Sequence, residues 1–153
     1  MWVTLVVQVV VSFLRGVFAP LLPVVRRRAP DTNATMRVVG MKGDGNCLFR
    51  SLAYPSLQHQ TVRSGVMAHL QSNWKYYKDF VADEQRATYR QDMAADGTWG
   101  DELMVRAFSD AANVDVFVFD AHTGKPISEY RQTKPSRTPK YLLYDGAHYD
   151  IIV

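Results

Sequence analysis

The spacing of apolar residues changes along the chain. MRVVGMKGDGN reads as a short strand running into a glycine loop, and CLFRSLAY as a helix that begins at Cys47 and is ended by Pro55. From Gln60 to about Phe80, Val62, Val66, Leu70 and Trp74 recur at every fourth position, which predicts a helix with one buried stripe. ADEQRATYRQDMA predicts a second helical stretch. TWGDELMVRAFSDAA predicts a third, with Thr98 as its N-cap and Asp101 three residues later, close to a capping box. The period then shortens. VDVFVFD is β-branched and aromatic and ends at the turn AHTGKP, with ISEYRQT as its partner strand. KYLLYDGAHYDIIV is two apolar strands around Asp145–Gly146, a strong hairpin signal. Helices dominate the middle and strands the end, so the expected class is α+β, helices packed on a small sheet.

The first residues fit neither pattern. MWVTLVVQVVVSFL is nearly all apolar, and RGVFAPLLPVVRRR after it is broken by Arg15, Gly16, Pro20 and Pro23. A membrane span takes about 20 uninterrupted apolar residues, and a signal peptide places its basic residues before the apolar run. Three readings stand: a membrane-associated or interfacial anchor through residues 1–28, an element packed on the domain, or a piece of a longer product such as a polyprotein. If the segment inserts, Arg26, Arg27 and Arg28 would keep the domain after it on the cytoplasmic side. APDTNAT has the composition of a linker. The expected division is a hydrophobic and basic segment with linker over 1–35, and a folded domain over 36–153.

A chain of 153 residues suits one domain with its own core. A single cysteine excludes an internal disulfide and paired metal cysteines, and a free thiol fits a reducing compartment. Four of the 18 basic residues and one of the 15 acidic residues precede Met36, leaving 14 of each beyond it. That balance does not suggest a nucleic-acid groove.

The lone cysteine lies in GDGNCLFRSL. Gly43 and Gly45 allow a tight turn with positive φ. A helix that starts at Cys47 turns its unpaired N–H groups and its dipole toward the thiolate. The same loop leaves N–H groups able to hold a developing oxyanion. The plainer alternative is a buried cysteine that merely opens a helix. Among four histidines, His69 lies near an apolar helix stripe and reads as structural. His59 sits at a helix start, as a cap or exposed, and His122 in a solvated turn. His148 begins the last strand, and Asp150, two positions on, shares its face. An Asp there can fix the imidazole tautomer and leave the other nitrogen for the thiol. The alternative is a strand-end histidine beside a solvated aspartate.

GDGNCLFRSL resembles the cysteine box of the ovarian tumour (OTU) superfamily of deubiquitinating cysteine proteases; Asp-Gly-Asn-Cys-Leu-Phe-Arg matches throughout positions 44–50. HYDIIV is similar to the family's histidine box, and TWGDE to the Trp-Gly element between the boxes. The resemblance covers about Met36 to Val153. It implies a papain-like fold, with helices packed on a small, mostly antiparallel twisted sheet, and cleavage of the isopeptide bond after the terminal Gly-Gly of ubiquitin or a ubiquitin-like modifier. It implies Cys47 as nucleophile, His148 as base and acid, and Asp150 as orienter of His148. Asp44 would brace the glycine loop or compete for that orienting role. Backbone N–H groups of Asp44, Gly45, Asn46 and Cys47 would line the oxyanion hole. Trp99 and Tyr149 would wall the Gly-Gly channel, or else belong to the core. No metal or cofactor is implied. The expected partners are ubiquitin or a ubiquitin-like modifier and its conjugates, in the cytoplasm, of a host cell if the source is viral or bacterial. The hydrophobic N-terminal segment falls outside the family pattern, and the sequence stops three residues past Asp150. Two rival readings stand beside this one, a protease that releases itself from a polyprotein and a non-catalytic ubiquitin-binding module. The intact Cys47, His148 and Asp150 disfavour the second.

Overall fold

The computed structural model of the chain describes residues 36–135 and 137–153, and residues 36–153 form one compact unit. The readings of residues 1–35 as anchor, packed element or linker lie outside the described residues.

The cysteine box leads from a two-residue strand, β1 (Val38–Val39), through the glycine loop into helix α1 (Cys47–Ala53). Helix α2 (His59–Ser72), the short turns α3 (Trp74–Tyr77) and α4 (Tyr89–Ala94), and helix α5 (Glu102–Ala112) come next. Strands β2 (Val116–Asp120), β3 (Pro126–Tyr130), β4 (Lys140–Tyr144) and β5 (Tyr149–Ile152) complete the domain. The sheet order is β1-β5-β4-β2-β3. Three pairings are antiparallel and β2 with β4 is parallel. The parallel pair arises because β4 does not extend the β2–β3 hairpin. It pairs instead with the other edge of β2.

Alternation along the strands turns Val116, Val118, Leu142, Tyr149 and Ile151 inward. They meet Leu48, Phe49 and Leu52 of α1, Val62, Val66 and Leu70 of α2, and Met104, Val105 and Phe108 of α5 in one core. The architecture is helices on a mostly antiparallel five-stranded sheet. The β4–β5 turn is closed by Asp145, whose Oδ1 accepts from the N–H groups of Ala147 (2.9 Å) and His148 (2.7 Å), while Gly146 takes φ of +103°.

The helices are more broken than apolar spacing predicts. The expected 60–80 helix stops at Asn73, whose side-chain amide donates to the His69 carbonyl at 2.9 Å. That contact satisfies a terminal carbonyl of α2 and lets the chain restart as α3. Trp74 therefore leaves the stripe and stacks on Tyr89, 6.3 Å between centroids. Over 82–94 only Tyr89–Ala94 is α-helical. Arg86 Nε donates to the carbonyls of Lys78 (2.7 Å) and Val81 (3.0 Å), fixing the preceding segment as 3-10 turns. The cap of α5 is Asp101, which accepts from Met104 N at 3.1 Å, and Thr98 lies in the irregular segment before it. Gly100 explains the late start. A Cβ there would lie 2.6 Å from Leu48 Cδ2 and 3.0 Å from Phe49 Cε2, so the 98–100 backbone rests directly on α1.

Candidate active site

Gly45 makes the cysteine loop possible. Its φ is +83°, and a Cβ at this position would lie 1.7 Å from the Gly97 carbonyl oxygen. The loop thus packs backbone to backbone against the segment before Trp99, which only glycine permits. Asn46 locks the contact: its buried Oδ1 accepts from Gly97 N at 3.1 Å. Asp44 faces the other way. Its Oδ2 lies 2.6 Å from Arg50 Nη2, its Oδ1 accepts from Asn46 N at 3.2 Å, and Lys42 stands 3.7 Å away. The Arg50 hydrogen bond holds the Asp44 carboxyl down at about 2. Asp44 therefore braces the loop through Arg50 and Asn46, and the carboxylate bonded to His148 is that of Asp150.

Cys47 is the first residue of α1 and is 7% exposed. It opens onto a cleft of about 310 Å³ lined also by Trp99, Gly100, Ser128, Ala147 and Tyr149. His148 lies just outside β5, with its ring against the cysteine loop. A Cβ on Gly43 would sit 3.9 Å from its Nδ1. On the far side of the ring, Nε2 donates to Asp150 Oδ1 at 3.1 Å. The same oxygen accepts from Met41 N at 2.7 Å. Ser51 Oγ donates to the Tyr149 carbonyl at 3.2 Å, which ties α1 to β5 beside the histidine. The structure therefore gathers the cysteine loop, His148 and Asp150 at one end of the domain and leaves Nδ1 turned toward the loop.

The structure separates residues that the sequence grouped together. Asn46 is a poor oxyanion donor, because its N–H is taken up by Asp44 Oδ1 and its side chain by Gly97. The donors left to the loop are those of Asp44, Gly45 and Cys47. The channel pair is also unequal. Trp99 is 64% exposed on the rim, whereas Tyr149 is 8% exposed and stacks on Tyr144, 4.5 Å between centroids. Burial pushes the Tyr149 phenol above its usual range. Tyr149 is a core residue that also floors the cleft.

A family model described as OTU-like cysteine protease matches residues 42–149. The chain belongs to this family. The OVARIAN TUMOR DOMAIN-containing deubiquitinating enzyme 11 of Arabidopsis thaliana is 33% identical over 152 residues, 86% of this chain and 62% of that protein. Ubiquitin thioesterase OTU1 of Saccharomyces cerevisiae is 27% identical over 110 residues, 70% of this chain and 36% of that protein. The chain thus spans less than two thirds of these relatives. Among solved structures, an ovarian tumor (OTU) domain in complex with ubiquitin superposes with a TM-score of 0.66 at 24% identity, over 77% of this chain and 69% of that one. The Hazara virus OTU bound to ubiquitin gives 0.60 at 22%, over 77% and 80%. The fold is that of an OTU domain.

The OTU domain also places two of the histidines set aside by the sequence, and one cation that sequence spacing did not single out. His59 accepts from Arg50 Nη1 at Nδ1 (3.2 Å), with its Nε2 3.6 Å from Asp96, so it extends the Asp44–Arg50 brace rather than capping α2. His69 bonds the Tyr77 hydroxyl at 3.0 Å, a structural place. Arg63 is 3% exposed in α2, one position from the Val62 stripe. Its sequence neighbours, Thr61, Val62, Ser64 and Gly65, do not mark it for burial. Burial pulls its guanidinium below the usual value. Among the described residues, no group of three His, Cys, Asp or Glu could hold a metal ion, and no helix is long and apolar enough to cross a membrane.

Proposed function

We propose that the domain is a thiol-dependent deubiquitinase that hydrolyses the isopeptide bond after the terminal Gly-Gly of ubiquitin or a ubiquitin-like modifier. The observation that carries this reading is the histidine. One ring nitrogen of His148 is held by Asp150, and the other faces the loop that delivers Cys47 to a cleft. The names of the Arabidopsis and yeast relatives support the same reaction.

Cys47 Sγ attacks the glycine carbonyl while His148 Nδ1 takes the thiol proton. Charge develops on the carbonyl oxygen, where the N–H groups of Asp44, Gly45 and Cys47 can receive it. His148 then protonates the departing lysine amine, leaving a thioester on Cys47. Water, deprotonated by the same imidazole, releases the glycine carboxylate and restores the thiol. Asp150 keeps the Nε2 proton in place throughout and stabilises the imidazolium. A cleft with Trp99 on its rim and buried Tyr149 on its floor admits an extended chain without side chains better than a bulky one. A reducing cytoplasm keeps such a thiol free and suits this chemistry.

The test is incubation with ubiquitin carrying a C-terminal propargyl amide. We expect one covalent adduct, mapped to Cys47 and absent from Cys47→Ala. No adduct with reduced wild-type protein, or an adduct elsewhere, would overturn the reading.

A further inference from the structure

Arg63 is the most deeply buried cation of the domain's active-site end, and the chemistry described above does not use it. Its Nη1 donates to the Met93 carbonyl at 2.8 Å. Its Nη2 reaches Asn46 Oδ1 at 2.7 Å, the Thr98 carbonyl at 2.8 Å and, more weakly, the Gly45 carbonyl at 3.5 Å. The guanidinium lies 3.9 Å above the Phe49 ring, and Nε has no partner. Among the described residues no carboxylate approaches it within ion-pair distance. Asp96 acts on it from beyond that distance. A buried charge with no hydrogen-bonded carboxylate is costly, and a well-packed apolar residue is usually the more stable choice at such a place. Its acceptors say what the charge does here. Gly45 and Asn46 belong to the cysteine loop, Met93 and Thr98 to the segment that supplies Gly97 and Trp99. One planar fork therefore pins the loop bearing the oxyanion donors to the opposite wall of the cleft.

We propose that Arg63 is a positioning residue of the active site, which fixes the direction of the loop's N–H donors by holding Gly45 and Asn46 against residues 93–98. The proposal rests on the deubiquitinase reading and concerns the same site. It acts on the transition state. The oxyanion forms only during acyl transfer, so a loosened loop lowers kcat more than it raises KM. Alkylation of Cys47 by iodoacetamide creates no oxyanion, so it reports the thiol without the loop donors. Lysine at position 63 keeps the charge but loses the fork, since an ammonium cannot span acceptors on two chain segments in one plane.

The experiment compares wild type and Arg63→Lys in three measurements: a thermal melt, steady-state hydrolysis of a fluorogenic ubiquitin C-terminal amide, and the iodoacetamide rate. For folded Arg63→Lys we expect kcat to fall roughly 10- to 100-fold, somewhat less than the loss of a whole oxyanion donor, with KM within about threefold. The iodoacetamide rate should stay within about threefold. Folded Arg63→Lys with kcat within twofold of wild type overturns the proposal, as does a parallel fall of kcat and alkylation rate, which would mark general loosening. If Arg63→Lys does not fold, Asn46→Ser, which withdraws the acceptor from Arg63 and Gly97, should show the same split, and full activity in it overturns the proposal. Inactive wild type would instead refute the deubiquitinase reading and is separately visible.

Discussion

Replacing Asp150 by Asn and by Ala separates charge from geometry in the proposed acid. Both hydrogen bonds to this side chain land on one oxygen, Oδ1, 2.7 Å from Met41 N and 3.1 Å from His148 Nε2. An amide also has one oxygen, so the Asp150→Asn side chain can keep both bonds with its nitrogen where Oδ2 stood. His148 then retains its Nε2 proton and its Nδ1 lone pair. What the amide loses is the extra strength of a charged acceptor, about 1 kcal/mol, reduced further because both side chains are about a quarter exposed. That corresponds to at most about a tenfold fall in kcat/KM. Asp150→Ala loses the whole bond, about 1.5–3 kcal/mol, and with it the tautomer, so it should cost roughly 10- to 100-fold. It also strands the Met41 N–H, about 1 kcal/mol of stability at a partly exposed site. Hydrolysis of a fluorogenic ubiquitin amide gives the first quantity and a thermal melt the second. Activity of Asp150→Asn equal to or below that of Asp150→Ala would refute the reasoning, because it would mean that the amide turns its N–H₂ to the ring and imposes the opposite tautomer.

Cys47→Ala should abolish turnover while ubiquitin binding, followed by calorimetry, stays within a few-fold of wild type, since the cleft walls are untouched; residual turnover would point to another nucleophile. Gly100→Ala should cost about 1–3 kcal/mol, because its Cβ would meet the fully buried Leu48 and Phe49; an unchanged melting temperature would mean that residues 98–100 can lift off α1. Asp44 is held at about 2 in the folded protein against an ordinary 3.8. Its contribution is therefore complete above about pH 4 and disappears as pH falls toward 2. Urea midpoints of wild type and Asp44→Asn should differ at pH 5 and converge below pH 4, and a gap that persists at pH 2 would assign the brace to another group.

What could be read from the sequence was what is decided locally. Gly45 announces a left-handed turn before Cys47 because few other residues tolerate φ of +83°. His148 and Asp150 share a face because a strand repeats every two residues. The apolar runs over 116–120, 140–144 and 149–152 became strands for the same reason. Contacts made across the fold were hidden. Asn73 ends α2 through its own side chain, so a stripe continuing to Trp74 misleads. The sequence could not say whether Asp44 or Asp150 serves His148, because the answer depends on where Arg50 and Met41 lie. Nor could it show that Arg63 points inward at the backs of two loops, since a cation on a helix is ordinarily solvated.

The role of Met41 shows why the cysteine box and the last strand work as one device. β1 is only two residues long, and it pairs antiparallel with β5 through Val38 with Ile152 and Val39 with Ile151. Bonds between Arg37 and Val153 in both directions, 2.8 and 2.9 Å, extend the ladder. That pairing carries the chain alongside β5 and presents Met41 N to Asp150 before the chain turns into the glycine loop. The segment that delivers the thiol thus also fixes the carboxylate that fixes the imidazole. A shift of the β1–β5 register by one residue would move Met41 away from Asp150 and redirect the loop that carries Cys47. A short edge strand of this kind adds little burial of its own. Its contribution is to couple loop and histidine geometrically, so substitutions at Val38 and Val39 that weaken the pairing should act on turnover through His148 even though neither side chain lines the cleft.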